Sequence, residues 1–152
     1  MISIIIDELT DCLIERISGK EIKTVVEALT ENIKGKDWLF DWNKEPQVFA
    51  LKVEKDKKIQ GLISLRITSS EVEIKLIESN KENIGKSGKY EGVGGNLIAF
   101  ACKTARDKGL DYVYFTSKTN LKTHYKEKIG AKEVIKDVMV IEGESFEMLI
   151  KK

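Results

Sequence analysis

The chain has 152 residues, with 26 Lys and Arg against 25 Asp and Glu and a net charge of +1, so no bulk electrostatic pull toward nucleic acid or a membrane surface is expected. A single domain over residues 1–152 is expected, because folding a chain of this size buries roughly 70% of its unfolded surface and builds a core without a second domain. Cys12, Cys102 and His124 supply neither a disulfide framework nor a metal cluster, and no apolar run approaches the ~20 residues of a membrane span, so the expectation is a reduced, cytoplasmic, metal-free protein.

Ile2–Ile6 is too short for a signal-peptide core and runs at once into Asp7 and Glu8. Two strand-like runs, Cys12–Ile17 and Lys23–Val26, flank Ser18-Gly19-Lys20, which predicts an N-terminal β-hairpin. Trp38, Phe40 and Trp42 recur at alternate positions; on a strand they share one side, either as core or as an aromatic wall for a substrate. Three clear alternations follow: Phe49, Leu51, Val53; Gly61, Ile63, Leu65, Ile67; Val72, Ile74, Leu76. With turns at Lys55–Lys58 and Thr68–Ser70 these predict an antiparallel meander ending at Leu76-Ile77-Glu78.

A polar loop, Ser79–Gly88, leads into Lys89-Tyr90-Glu91-Gly92-Val93-Gly94-Gly95-Asn96 and then an apolar run from Leu97 to Ala105 closed by Gly109. Glycines at the mouth of a helix let the backbone approach a ligand. The first N–H groups of that helix have no partner within it, a combination suited to pyrophosphate. Beyond lie a strand at Tyr112–Phe115, a helix at Leu121–Ile129 and a strand at Val138–Ile141. Phe146, Met148 and Ile150 continue an alternation that either completes the sheet or pairs with a second subunit in a homodimer.

Two phosphate-binding motifs fail on spacing: a dinucleotide fingerprint needs a glycine where Leu97 stands, and a Walker loop needs a Gly-Lys-Ser/Thr that is absent. Lys89-x-x-Gly92-x-Gly94 instead resembles the Gln/Arg-x-x-Gly-x-Gly/Ala signature of the GNAT N-acetyltransferase superfamily, with Lys89 as the departure. Tyr125-Lys126-Glu127-Lys128-Ile129-Gly130-Ala131 looks like that superfamily's Tyr-Glu-Lys-Leu-Gly-Phe ending. Residues 47–135 carry the resemblance; residues 1–46 lack the two opening helices usual in the fold.

The resemblance implies an α+β sandwich with a mixed, mostly antiparallel sheet and a central CoA-binding helix. It also implies transfer of acetyl from acetyl-CoA, as co-substrate, to a small-molecule or protein amine by direct attack in a ternary complex. Residues 89–96, that is Lys89, Tyr90, Glu91, Gly92, Val93, Gly94, Gly95 and Asn96, would hold the cofactor together with Ile77 and Ser79, whose strand supplies a backbone N–H to the oxyanion. Glu78, at the end of an apolar row, is the favoured base, with Glu73 as runner-up on the opposite pleat. Tyr125 is the acid for the departing thiolate or else a packing residue, since it precedes Gly130 by five positions where the superfamily has four. His124 reads as a surface residue and Cys102 as core. Binding of CoA without turnover, and a purely packing role for the glycines, remain as alternatives.

Overall fold

The computed structural model describes residues 4–5, 12–17, 19–20, 22, 42, 45–53, 56–80, 90–116 and 126–151. Nine strands and two helices are assigned in it: β1 (Ile4–Ile5), β2 (Cys12–Arg16), β3 (Val48–Val53), β4 (Asp56–Ile67), β5 (Val72–Ser79), β6 (Tyr90–Glu91), α1 (Val93–Asp107), β7 (Tyr112–Thr116), β8 (Lys132–Ile135), β9 (Val138–Glu142) and α2 (Gly143–Ile150). Among the described residues, 19, 20, 22 and 126–129 are also helical. A seven-stranded sheet runs in the order β2-β3-β4-β5-β7-β9-β8, and β1 pairs with β6 apart from it. The β5–β7 pair is parallel, whereas β2–β3, β3–β4, β7–β9 and β8–β9 are antiparallel. The sheet is thus mixed and mostly antiparallel, as expected for an α+β fold. The chain forms two compact units, residues 1–64 with 76–97 and residues 65–75 with 98–152.

In the first unit β4 is buried on both faces. An added Cβ on Gly61 would lie 2.5 Å from Val93 Cγ1 and 2.9 Å from Leu97 Cδ1, so this glycine lets α1 approach the strand closely. The opposite face places Leu62 in a cluster with Ile17, Trp42, Val48 and Ala50, and the pairing of Ala50 with Leu62 and of Val48 with Ser64 keeps those side chains together.

The second unit packs α1 and α2 by charge and ring contacts: Arg106 pairs with Glu147 and lies 5.4 Å from the centre of the Phe146 ring. At the end of α1 the Leu110 N–H reaches Ala105 O and the Gly109 N–H reaches Arg106 O, both at 2.9 Å, while Gly109 has φ 79°. This Schellman closure requires the left-handed conformation that glycine adopts without strain.

Five expectations need correction. Gly19, Lys20 and Ile22 are helical and not part of a hairpin turn, and β2 pairs with β3, Cys12 opposite Val53; Ser18 and Lys23–Val26 lie outside the described residues. Trp42 sits in a 3₁₀ turn, not a strand, while Trp38 and Phe40 are outside the described residues. The β3–β4 turn is shorter than Lys55–Lys58, because β4 starts at Asp56. Residues 143–150 are a helix burying Phe146 and Leu149, not a strand. Finally, β5 does not hold one continuous face. Thr68 N bonds Glu71 O and Asn80 N bonds Gln60 O, so β5 advances from 71 to 80 while β4 retreats from 68 to 60. That is one residue more on β5, the mark of a β-bulge, so side-chain parity changes between Ile74 and Leu76 and Glu73 is not on the opposite pleat from Glu78, as the even spacing had implied.

Candidate functional site

Of the three glycines at the helix mouth, Gly92 alone takes the left-handed conformation, while Gly94 and Gly95 are part of the helix. Gly92 has φ 87°, a conformation that strongly favours glycine, and α1 starts immediately after it. Asn96 closes the first helical turn through its own N–H to Gly92 O at 3.0 Å and, a second time, through its side-chain amide to the same oxygen at 2.8 Å. The N–H groups of Val93, Gly94 and Gly95 precede that first intrahelical bond, so helical geometry leaves them available to an external acceptor. Gly94 lies inside α1, and a Cβ built there would meet nothing within 4 Å. Helical backbone does not require glycine at this position, and among the described residues no neighbour excludes a side chain. The approach to the turn is set by β6, whose Tyr90 and Glu91 pair in parallel with Ile4 and Ile5. Sequence reading missed this two-residue pairing, which leaves no periodic signal.

Gly61 brings the end of β5 to the same place. Its built Cβ falls 3.6 Å from Glu78 O as well as against Val93 and Leu97, so the strand carrying Ile77, Glu78 and Ser79 and the first turns of α1 meet across one missing side chain. Ile77 and Ser79 are half-buried. Next to them Asn80 is fully buried; its side-chain amide donates to Ile59 O at 3.0 Å and its backbone N–H to Gln60 O at 2.8 Å. These bonds tie the strand end to β4 before the chain enters the loop.

Glu78 is 8% exposed, and its Oε1 accepts the indole N–H of the fully buried Trp42 at 2.9 Å. Burying a carboxylate is costly without a donor, and a buried indole N–H equally requires an acceptor. One bond answers both needs. The alternation of residues 72–78 points to burial of Glu78, but nothing in the sequence indicates a partner 36 positions earlier.

Glu73 has a different environment in the second unit. Arg66 donates from Nε to Glu73 Oε1 at 2.9 Å and from Nη2 to Glu71 Oε1 at 2.9 Å and to the Tyr114 hydroxyl at 2.6 Å, while that hydroxyl donates to Glu71 Oε1 at 3.1 Å. Burial, the bond to Glu71 and the nearby Glu73 and Glu71 charges hold the Tyr114 hydroxyl above its usual range, opposed by Arg66. The same pairing raises the Arg66 guanidinium further, chiefly through Glu73. Cys102 is buried, and desolvation pushes its thiol up to about 12, in keeping with a core residue. Lys89, His124 and Tyr125 lie outside the described residues. Of the second motif, Lys126–Ile129 is helical and Gly130 follows at φ 71°, where a Cβ would also stand 3.0 Å from Ser145 Cβ.

No protein-family model and no curated protein matches the chain by sequence. Its structure nevertheless superposes on solved acetyltransferases. A GNAT family acetyltransferase from Listeria monocytogenes aligns with TM-score 0.59 and 11% identity over 91% of this chain and 97% of that one. Ard1 from Thermoplasma volcanium aligns with TM-score 0.56 and 15% identity over 85% and 94%. The fold is that of the GNAT N-acetyltransferases. The same GNAT architecture superposes on a mutant of the toxin AtaT, bound to the C-terminus of the antitoxin AtaR and to acetyl-CoA, with TM-score 0.57 and 13% identity over 93% and 99%; AtaT has also been solved with acetyl-methionyl-tRNAfMet. No helix among the described residues is long and apolar enough to cross a membrane.

Proposed function

We propose that the chain is an acetyl-CoA-dependent N-acetyltransferase acting by direct attack of an amine on the thioester. The observation that carries this reading is Gly94: a helical glycine costs roughly 0.5–1 kcal/mol relative to alanine, yet a side chain there would meet open space. A pyrophosphate drawn close to the N–H groups of Val93, Gly94 and Gly95 accounts for that glycine, with Lys89 adding charge and the Tyr90–Asn96 turn shaping the cradle. The backbone of Ile77 and Ser79 would lie along the remainder of the cofactor and supply the oxyanion donor.

In this reading the amine nitrogen forms a bond to the thioester carbonyl carbon and the C–S bond breaks. The amine proton passes to Glu78, directly or through a water, and the thiolate takes a proton from Tyr125. Glu78, at the buried strand end beside Gly61 and the first turns of α1, is the base in this reading, and Glu73 is held by the Arg66 guanidinium. The acceptor is an amine of a small molecule or a protein; the complex described for AtaT adds an aminoacyl-tRNA amine to those worth screening. The burial of Glu78 against Trp42 also fits a second reading, in which that bond is a structural tether and the protein binds CoA without turnover.

Calorimetric titration with acetyl-CoA of the wild type and of Gly94→Trp tests the proposal. Binding by the wild type and loss in a folded variant is the expected result, followed by acetylated product in an amine screen. Affinity without product from any amine favours the second reading, and absence of wild-type binding overturns both.

A further inference from the structure

We infer that Trp42 is a positioning residue for proton transfer, fixing the orientation of the Glu78 carboxylate; this rests on the reading of Glu78 as the base. The indole is fully buried in the Ile17, Val48, Ala50 and Leu62 cluster, where close packing leaves it little freedom to turn. Its backbone is anchored as well, since the Trp42 carbonyl accepts the Glu45 N–H at 3.4 Å. Across 36 positions of chain it delivers one N–H to Glu78 Oε1 at 2.9 Å.

The type of donor matters as much as its place. Indole N–H carries no net charge and has no second donor to turn toward the ligand, so this bond orients the carboxylate without itself adding a positive charge. A guanidinium, such as the one on Glu73, adds a full positive charge and competes directly for the proton-accepting oxygens. A carboxylate bonded to a rigid, buried ring has one oxygen fixed in place, and proton transfer depends on such geometry to the extent that ~1 Å of misplacement costs about 100-fold.

Trp42→Phe retains a buried ring and removes the N–H. With acetyl-CoA and the fastest amine among lysine, spermidine and a methionine-initiated peptide, kcat is expected to fall about tenfold while KM for acetyl-CoA stays within about twofold, a split that general loosening of the fold does not produce. Combined with Glu78→Gln, the variant is expected to lose no more than Glu78→Gln alone, because both changes act through one contact. Independently of turnover, the Trp42 indole resonance is expected to move on Glu78→Gln, where an amide oxygen replaces the carboxylate. A wild-type kcat for Trp42→Phe, additive losses in the double variant, or an unmoved indole resonance overturns the inference while leaving Glu78 as base. A wild-type kcat for Glu78→Gln, or no acetylation of any amine in the set, removes the base reading itself and the inference with it.

Discussion

Strand β5 carries two carboxylates in opposite surroundings. Glu78 is buried and receives a hydrogen bond from a neutral indole, whereas Glu73 pairs with an exposed guanidinium that also holds Glu71 and Tyr114. A neutral donor directs a carboxylate and leaves its charge in place; a cation satisfies it. The difference teaches that the partner, more than the residue type, sets the electrostatic surroundings of two glutamates on one strand. It also separates a bond whose loss strands a buried group from one whose loss exposes both partners to water.

The sharpest test of that contrast is Glu78→Leu. On the proposed reading of Glu78 as general base, acetyl transfer is expected to fall by about 10²–10⁴, and the stranded Trp42 N–H is expected to cost about 1–3 kcal/mol in chemical denaturation. Adding Trp42→Phe should restore part of that stability, and an unchanged denaturation midpoint in the single variant would break the comparison.

At Cys102 burial acts alone on the titration. The thiol pKa is pushed from 9.0 up to about 12 by desolvation, so the protonated form is the one compatible with the fold. That contribution is complete below about pH 9 and is lost as pH climbs toward about 12. Mass spectrometry after iodoacetamide treatment at about pH 8, below the ordinary thiol value, should show Cys102 unmodified in native protein and alkylated once the chain is unfolded.

A smaller effect is expected at Tyr114. Its hydroxyl is raised above the ordinary value of 10.0, first by burial, so its stabilisation is present below about pH 10 and fades as pH rises beyond that. The wild type should lose more of its thermal midpoint between about pH 9 and 11 than Tyr114→Phe does. The smallest change is expected for Glu73→Gln, which should leave both the melting temperature and the transfer rate near wild type; a large loss of rate would transfer the base role to Glu73.

Where one face of an element is buried and regular, sequence was enough. The meander, α1 and β7 follow from alternating or helical apolar positions, and Gly92 announced a left-handed residue at a helix mouth. Other features leave weaker traces. All four residues of β8 are exposed, so no alternation marks it. Phe146, Met148 and Ile150 imitate a strand, although the buried pair is Phe146 and Leu149 while Met148 is 64% exposed. The bulge in β5 is invisible because an inserted residue leaves Val72, Ile74, Leu76 and Glu78 evenly spaced in the chain. At the site, Gly61 was the overlooked signal: a glycine at an inward strand position marks a close approach. The bond between Trp42 and Glu78 depends on tertiary placement alone.

The parallel pairing of Ile4 and Ile5 with Tyr90 and Glu91 ends one residue before Gly92, which makes the first strand a reporter of the turn. Thermodynamic reciprocity requires that whatever steadies the turn also steadies this pairing, and by the same free energy in both directions. On the proposed reading of the turn as a cofactor cradle, slower amide exchange at Ile4 and Ile5 would thus register its occupancy.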